Sequence, residues 1–150
     1  MGKAIYLKVE KELNHPKSKV WETVALGFGE VAKYNPALTS SKFDSEKREG
    51  VGTKRHCEFK PKGHIKEEIT EWNENESFTL EFTESSVPMG FMKSKFSFNG
   101  DEERTLLSQE FWYRMKAPMG WLSWMMKGKM KKTLVTGLDG LEKYLNNGSK

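Results

Sequence analysis

The chain contains one cysteine, Cys57, and three histidines, His15, His56 and His64, in 150 residues. A single thiol excludes an internal disulfide. Because the start Met-Gly-Lys-Ala-Ile-Tyr-Leu-Lys also lacks an apolar run of signal-peptide length, the sequence points to a reducing cytoplasm. No stretch of apolar residues is long enough to span a bilayer as a helix. Gly2 does not open a myristoylation motif, since Tyr6 stands where serine or threonine is needed. The histidines are scattered, with neither zinc spacing nor the makings of a serine triad. Neighbouring strand residues face opposite sides, so His56 points away from Cys57 and no Cys/His dyad forms. Gly50 and Gly52 lack the lysine and hydroxyl of a phosphate loop and read as turn residues. No metal and no cofactor are expected.

What is abundant is large apolar side chains in a charged background. Aromatics make up 12% of the chain and charged residues 31%, which is too much bulk for disorder and fits a soluble globular protein. The length predicts one domain, at 1–146, followed by a frayed tail at 147–150. A net charge of +4 permits contact with anionic partners without specifying one. Lys127, Lys129, Lys131 and Lys132 spread around a helix at about 100° per residue, so they build no basic stripe. With no recognition helix or RNA-binding aromatic signature either, nucleic acid is not an expected partner.

Ile5, Leu7 and Val9 alternate with polar residues, the period of a half-buried strand. Pro16 starts a helix carrying Val20, Trp21, Val24 and Phe28, which Gly27 and Gly29 cut short; a second short helical turn runs from Val31 to Tyr34, and Pro36 stops it. From Ser40 to Met115 the pattern is one of successive hairpins, beginning with a weak edge strand anchored by Phe43. A turn centred on Pro61 and Lys62 pairs Arg55 with Glu68 and Cys57 with Lys66. Arg55, Cys57, Phe59, Glu68 and Trp72 then share an inner face, and Ile65 and Ile69 lie on the wetter one. Phe78, Leu80 and Phe82 join the inner face, as do Met92, Phe96 and Phe98 after the turn at Val87-Pro88. Leu107, Gln109, Phe111, Tyr113 and Met115 alternate in the last strand, with Gln109 the one fully polar side chain. A closing helix from about Met119 carries a stripe of Met126, Met130, Leu134, Leu138, Leu141 and Leu145. Lys127 falls near the centre of that stripe, so either Gly128 kinks the helix or the amine reaches inward.

The fold class is thus α+β: a curved antiparallel sheet of about seven strands around a long C-terminal helix, with two short helices after strand one. This order resembles the helix-grip fold of the START-like, or SRPBCC, superfamily, and most closely its polyketide cyclase/dehydrase and lipid-transport branch. The matching pieces are His15-Pro16 through Val20-Trp21, Tyr34-Asn35-Pro36, Gly52-Thr53-Lys54-Arg55, Gly63 with Glu67-Glu68-Ile69 and Trp72, Val87-Pro88, and the final amphipathic helix. The resemblance implies a cavity between sheet and helix that holds a hydrophobic or amphipathic small molecule, such as a lipid or polyketide, in a carrier or sensor. It leaves open a cyclase/dehydratase-like enzyme and an interaction module such as a chaperone activator.

Expected ligand contacts are Arg55, Cys57, Phe59, Glu68, Trp72, Phe78, Leu80, Phe82, Phe96, Gln109, Phe111, Tyr113, Met126, Lys127 and Met130. No catalytic residue is expected in a carrier; an enzyme would draw on Glu68, Tyr113 and Arg55. A buried guanidinium opposite a carboxylate is either a self-contained pair, the commoner case, or one whose spare donors serve a ligand. Trp121, Leu122, Trp124 and Met125 form a further candidate surface, for transient contact with a membrane while a ligand exchanges.

Overall fold

The computed structural model describes residues 4–148; Gly2 and the end of the expected tail, Ser149 and Lys150, lie outside them. The strands are β1 (Ile5–Leu13), β2 (Leu38–Phe43), β3 (Lys54–Phe59), β4 (His64–Asn73), β5 (Ser77–Ser85), β6 (Met89–Gly100) and β7 (Thr105–Met115). They form one antiparallel sheet in the order β1-β7-β6-β5-β4-β3-β2. The hairpin run from β2 to β7 is a meander, and β1 pairs with its last strand, leaving β1 and the short β2 as edges. Alternation explains the inner face of β7, where Leu107, Gln109, Phe111, Tyr113 and Met115 are all buried while their neighbours are not.

Between β1 and β2 lie α1 (Lys17–Trp21), a π-helical turn at Glu22–Leu26 and a 3-10 segment at Phe28–Lys33. Trp21 is the anchor of this region. Its ring centroid lies 5.0 Å from those of both Trp72 and Phe98, edge-on in each case, and Phe28 stands edge-on to Phe78 at 6.0 Å. These rings plug one end of the sheet's concave face. The remainder is covered by α3 (Lys127–Asn146), whose Leu134, Leu138, Leu141 and Leu145 are buried as one stripe. Gly140 lets α3 approach closely, since a Cβ there would stand 2.1 Å from the carbonyl oxygen of Tyr34. The chain therefore adopts the α+β helix-grip fold, and among the described residues no helix is long and apolar enough to cross a membrane.

Two expectations are corrected by register and by helix phase. The β3–β4 turn is centred on Pro61 alone and not between Pro61 and Lys62, which moves every cross-strand pairing by one residue, with the Gly63 carbonyl, at φ +112°, accepting from the Phe59 amide. Arg55 consequently faces Glu67, not Glu68, and Cys57 faces Ile65, not Lys66. A one-residue slip exchanges the two faces of a strand. Hence Ile65, Glu67 and Ile69 are buried, and Glu68 is turned to the outer side. A bulge between Ile69 and Glu71 reverses the parity again, which brings Trp72 back against Trp21. The second correction concerns the closing helix. It is two helices, α2 (Trp121–Met125) and α3, separated at Met126, whose φ −89° and ψ 1° leave the helical region. The break lies at Met126 instead of Gly128, the angular count does not carry across it, and Lys127 is exposed.

Candidate functional site

The sheet and α3 do not meet along their whole length. They enclose a cavity of about 490 Å³. Of the residues expected at the site, Arg55, Cys57 and Phe59 line it from β3, Phe78 and Leu80 from β5, and Phe96 from β6. Gln109 and Phe111 contribute from β7, and Met126 and Met130 from the helical side. Exposed Lys60, Lys62, Lys129 and Thr133, which also border the cavity, mark its mouth between the β3–β4 turn and the first turns of α3.

Five expected residues are not part of the lining. Glu68 is on the outer face because of the register. Trp72 is spent on the aromatic plug. Phe82 packs half-buried at the edge of the core, opposite Glu67 but outside the hollow. Lys127 is in solvent. Tyr113 is fully buried, yet its hydroxyl donates to the Ser123 carbonyl at 2.5 Å, which ties it to α2.

The polar groups that do reach the hollow are few. Arg55 Nε donates to Glu67 Oε1 at 2.7 Å and Nη1 donates to the Phe28 carbonyl at 3.0 Å, with the guanidinium 4.1 Å from the centre of the Phe28 ring. Burial is the strongest single influence on Arg55 and pulls its pKa down, but the interactions with Glu67, Cys57 and Tyr34 together outweigh it and the net direction is upward. In this salt bridge the guanidinium and the carboxylate offset each other's charge. Nearby, burial lifts the Tyr34 hydroxyl to about 12, against the opposing pull of Arg55. Burial likewise lifts the Cys57 thiol to about 11, so at neutral pH both are uncharged. Across the cavity Gln109 Nε2 donates to Ser94 Oγ at 3.0 Å, leaving the amide oxygen free of protein partners among the described residues. The arrangement is an apolar chamber with a neutral ion pair and a side-chain amide as its fixed polar points. It can hold a hydrophobic body and satisfy a small number of hydroxyl or carbonyl groups on it.

Glu67, Ser94 and Tyr34 escaped the sequence reading. Ser94 could have been found by extending the alternation of Met92 and Phe96 through the residue between them. Glu67 required the turn geometry at Gly63. Tyr34 comes to the cavity where α3 packs on the Tyr34-Asn35 segment, Gly140 against the Tyr34 carbonyl and Gly137 against the Asn35 side chain, and that glycine pair within an amphipathic helix was the available signal.

The family model for polyketide cyclase / dehydrase and lipid transport matches residues 5–146. Among solved structures the chain is similar to the Zhui aromatase/cyclase from Streptomyces sp. R1128, at 13% identity and TM-score 0.82, covering 98% of this chain and 96% of that one. It is also similar to ginseng major latex-like protein 151 from Panax ginseng, at 15% identity and TM-score 0.74, covering 95% and 98%. A third likeness is to the protein XoxI from Bacillus cereus, at 16% identity and TM-score 0.75, covering 92% and 93%. At such identities these structures share the fold. No curated protein matches by sequence.

Proposed function

The chain belongs to the polyketide cyclase/dehydrase and lipid transport family, and we propose that it is a carrier or sensor holding a hydrophobic or amphipathic small molecule between sheet and α3. The observation that carries this reading is the 490 Å³ chamber, largely apolar in its walls and bearing the Arg55–Glu67 pair and the Gln109–Ser94 pair as polar anchors. A ligand burying on the order of 300 Å² of apolar surface there gains roughly 7 kcal/mol by transfer from water. The costs of association subtract from that gain. Hydrogen bonds from Arg55 and to Gln109 would fix the orientation.

Binding is favoured over turnover by the fate of the three side chains available to a cyclase. Glu68 is outside the cavity, the Tyr113 hydroxyl is held by Ser123, and Arg55 is held by Glu67 and Phe28. None is poised to move a proton on a bound polyketone. In this reading the exposed Trp121 and Trp124 give the carrier a place to meet a membrane surface while its ligand exchanges. The test is titration with a fluorescent fatty-acid or polyaromatic probe. Wild type should take it up, and Leu80→Trp, which fills the chamber from β5, should lose uptake while keeping its circular dichroism spectrum. Equal uptake by both proteins would refute the chamber as the binding site.

A further inference from the structure

Between Glu110 and Asp139 the chain has no aspartate or glutamate, while it carries Arg114, Lys116, Lys127, Lys129, Lys131 and Lys132. That stretch holds more than the whole net charge of +4. Among the described residues none of its cations is in an ion pair.

In the middle of this stretch α2 is inverted. Trp121, Trp124 and Met125 are spaced to share one helical face, and they are 65%, 73% and 63% exposed, whereas the buried residue of the helix is Ser123. Two hydrogen bonds enforce the inversion. Ser123 Oγ accepts from the Met115 amide at 2.8 Å and the Ser123 carbonyl accepts from the Tyr113 hydroxyl at 2.5 Å. The helix is pegged to β7 by its small polar side, and its indoles are held in water. Met126, at the end of this helix, and Lys129, just beyond it, line the cavity, so the exposed face borders the mouth.

We propose that the Trp121–Trp124–Met125 face is a docking surface for an anionic lipid bilayer, seating the cavity mouth at the membrane. Indole rings partition to the boundary between headgroups and acyl chains, and lysines beside them gain from negative surface potential. The charge selects this occupant. A second copy meeting the first across a two-fold axis would bring a like set of cations against its own, with no carboxylate from the segment to offset them. The inference rests on the carrier reading for what docking delivers, but the docking itself does not depend on the cavity being filled.

The experiment is co-flotation of the full chain with phosphatidylcholine vesicles, with and without phosphatidylserine, while indole emission is recorded. Binding and a blue shift are expected with phosphatidylserine, weakening as salt is raised. Trp121→Ser with Trp124→Ser should lower affinity by about tenfold or more. Lys127→Gln and Lys131→Gln should each lower it about fivefold. Both tryptophans are solvent-exposed, so the double variant should fold and still take up the probe in the absence of vesicles. Leu80→Trp should do the reverse, docking without uptake, which separates failure of docking from failure of the carrier reading. Equal binding to both vesicle types, undiminished binding by the tryptophan variant, or no binding would overturn the proposal. So would a wild type that sediments as a dimer beside a monomeric tryptophan variant.

Discussion

Replacing Glu67 by leucine strands the guanidinium of Arg55 in a site where the two side chains are only 11% and 8% exposed. Breaking a buried pair by removing one partner costs about 3–5 kcal/mol. Here the Phe28 carbonyl and ring still engage Arg55, so the lower end, about 3 kcal/mol, is expected. For a domain of this size that is roughly 6–12 °C in Tm. Removing both charges, as Arg55→Met with Glu67→Leu, leaves only the Phe28 carbonyl without its donor. The double variant should then recover to within about 1 kcal/mol of wild type. Urea unfolding of wild type, both single variants and the double variant closes the cycle and isolates the coupling. Probe titration of the double variant adds the functional half: Arg55 has five N–H donors and its two protein hydrogen bonds engage two of them, so an affinity loss of about tenfold is expected. A Glu67→Leu protein as stable as wild type would refute the electrostatic reasoning. A double variant less stable than either single one would refute it equally.

Cys57 and Tyr34 make the alkaline limb of stability predictable. Their folded pKa values, about 11 and about 12, lie above their ordinary values of 9.0 and 10.0, so the stability they contribute is complete below pH 9 and is lost as pH rises through 11 and 12. Cys57→Ala should flatten the first part of that decline in denaturation curves recorded against pH. The same shift means a hundredfold smaller thiolate fraction than at an ordinary thiol, so alkylation near pH 8 should be slower by about that factor. Rapid labelling of the native protein would contradict the burial of this side chain. Tyr113→Phe leaves the buried Ser123 carbonyl without its donor and should cost about 1–3 kcal/mol in thermal unfolding. Its probe affinity should stay within twofold of wild type, because the hydroxyl does not face the cavity.

The architecture was legible because its strongest signals are periodic. The alternation of β7 and the leucine stripe of α3 each encode a buried face directly, and together they require a sheet wrapped over a helix. What was lost was parity, which depends on single residues in turns. One residue in the Lys60–Gly63 turn decided between Glu67 and Glu68, and a bulge between Ile69 and Glu71 then restored Trp72 to the interior. The break at Met126 has no glycine or proline to announce it, since Gly128 lies beyond it in α3. Its cause is tertiary, the pegging of Ser123 to β7, and that cannot be read from helical spacing. The apolar lining of the cavity, Arg55 and the tryptophan surface beside its mouth were therefore legible in the sequence, while the identity of Arg55's partner, Glu67, required coordinates.

Native mass spectrometry of the freshly purified protein tests the occupied chamber most directly. A mass above that of the polypeptide, lost on collisional activation and absent from Leu80→Trp, is the expected result. A wild-type protein that emerges at its bare mass and takes up no fatty-acid or polyaromatic molecule offered to it would contradict the account.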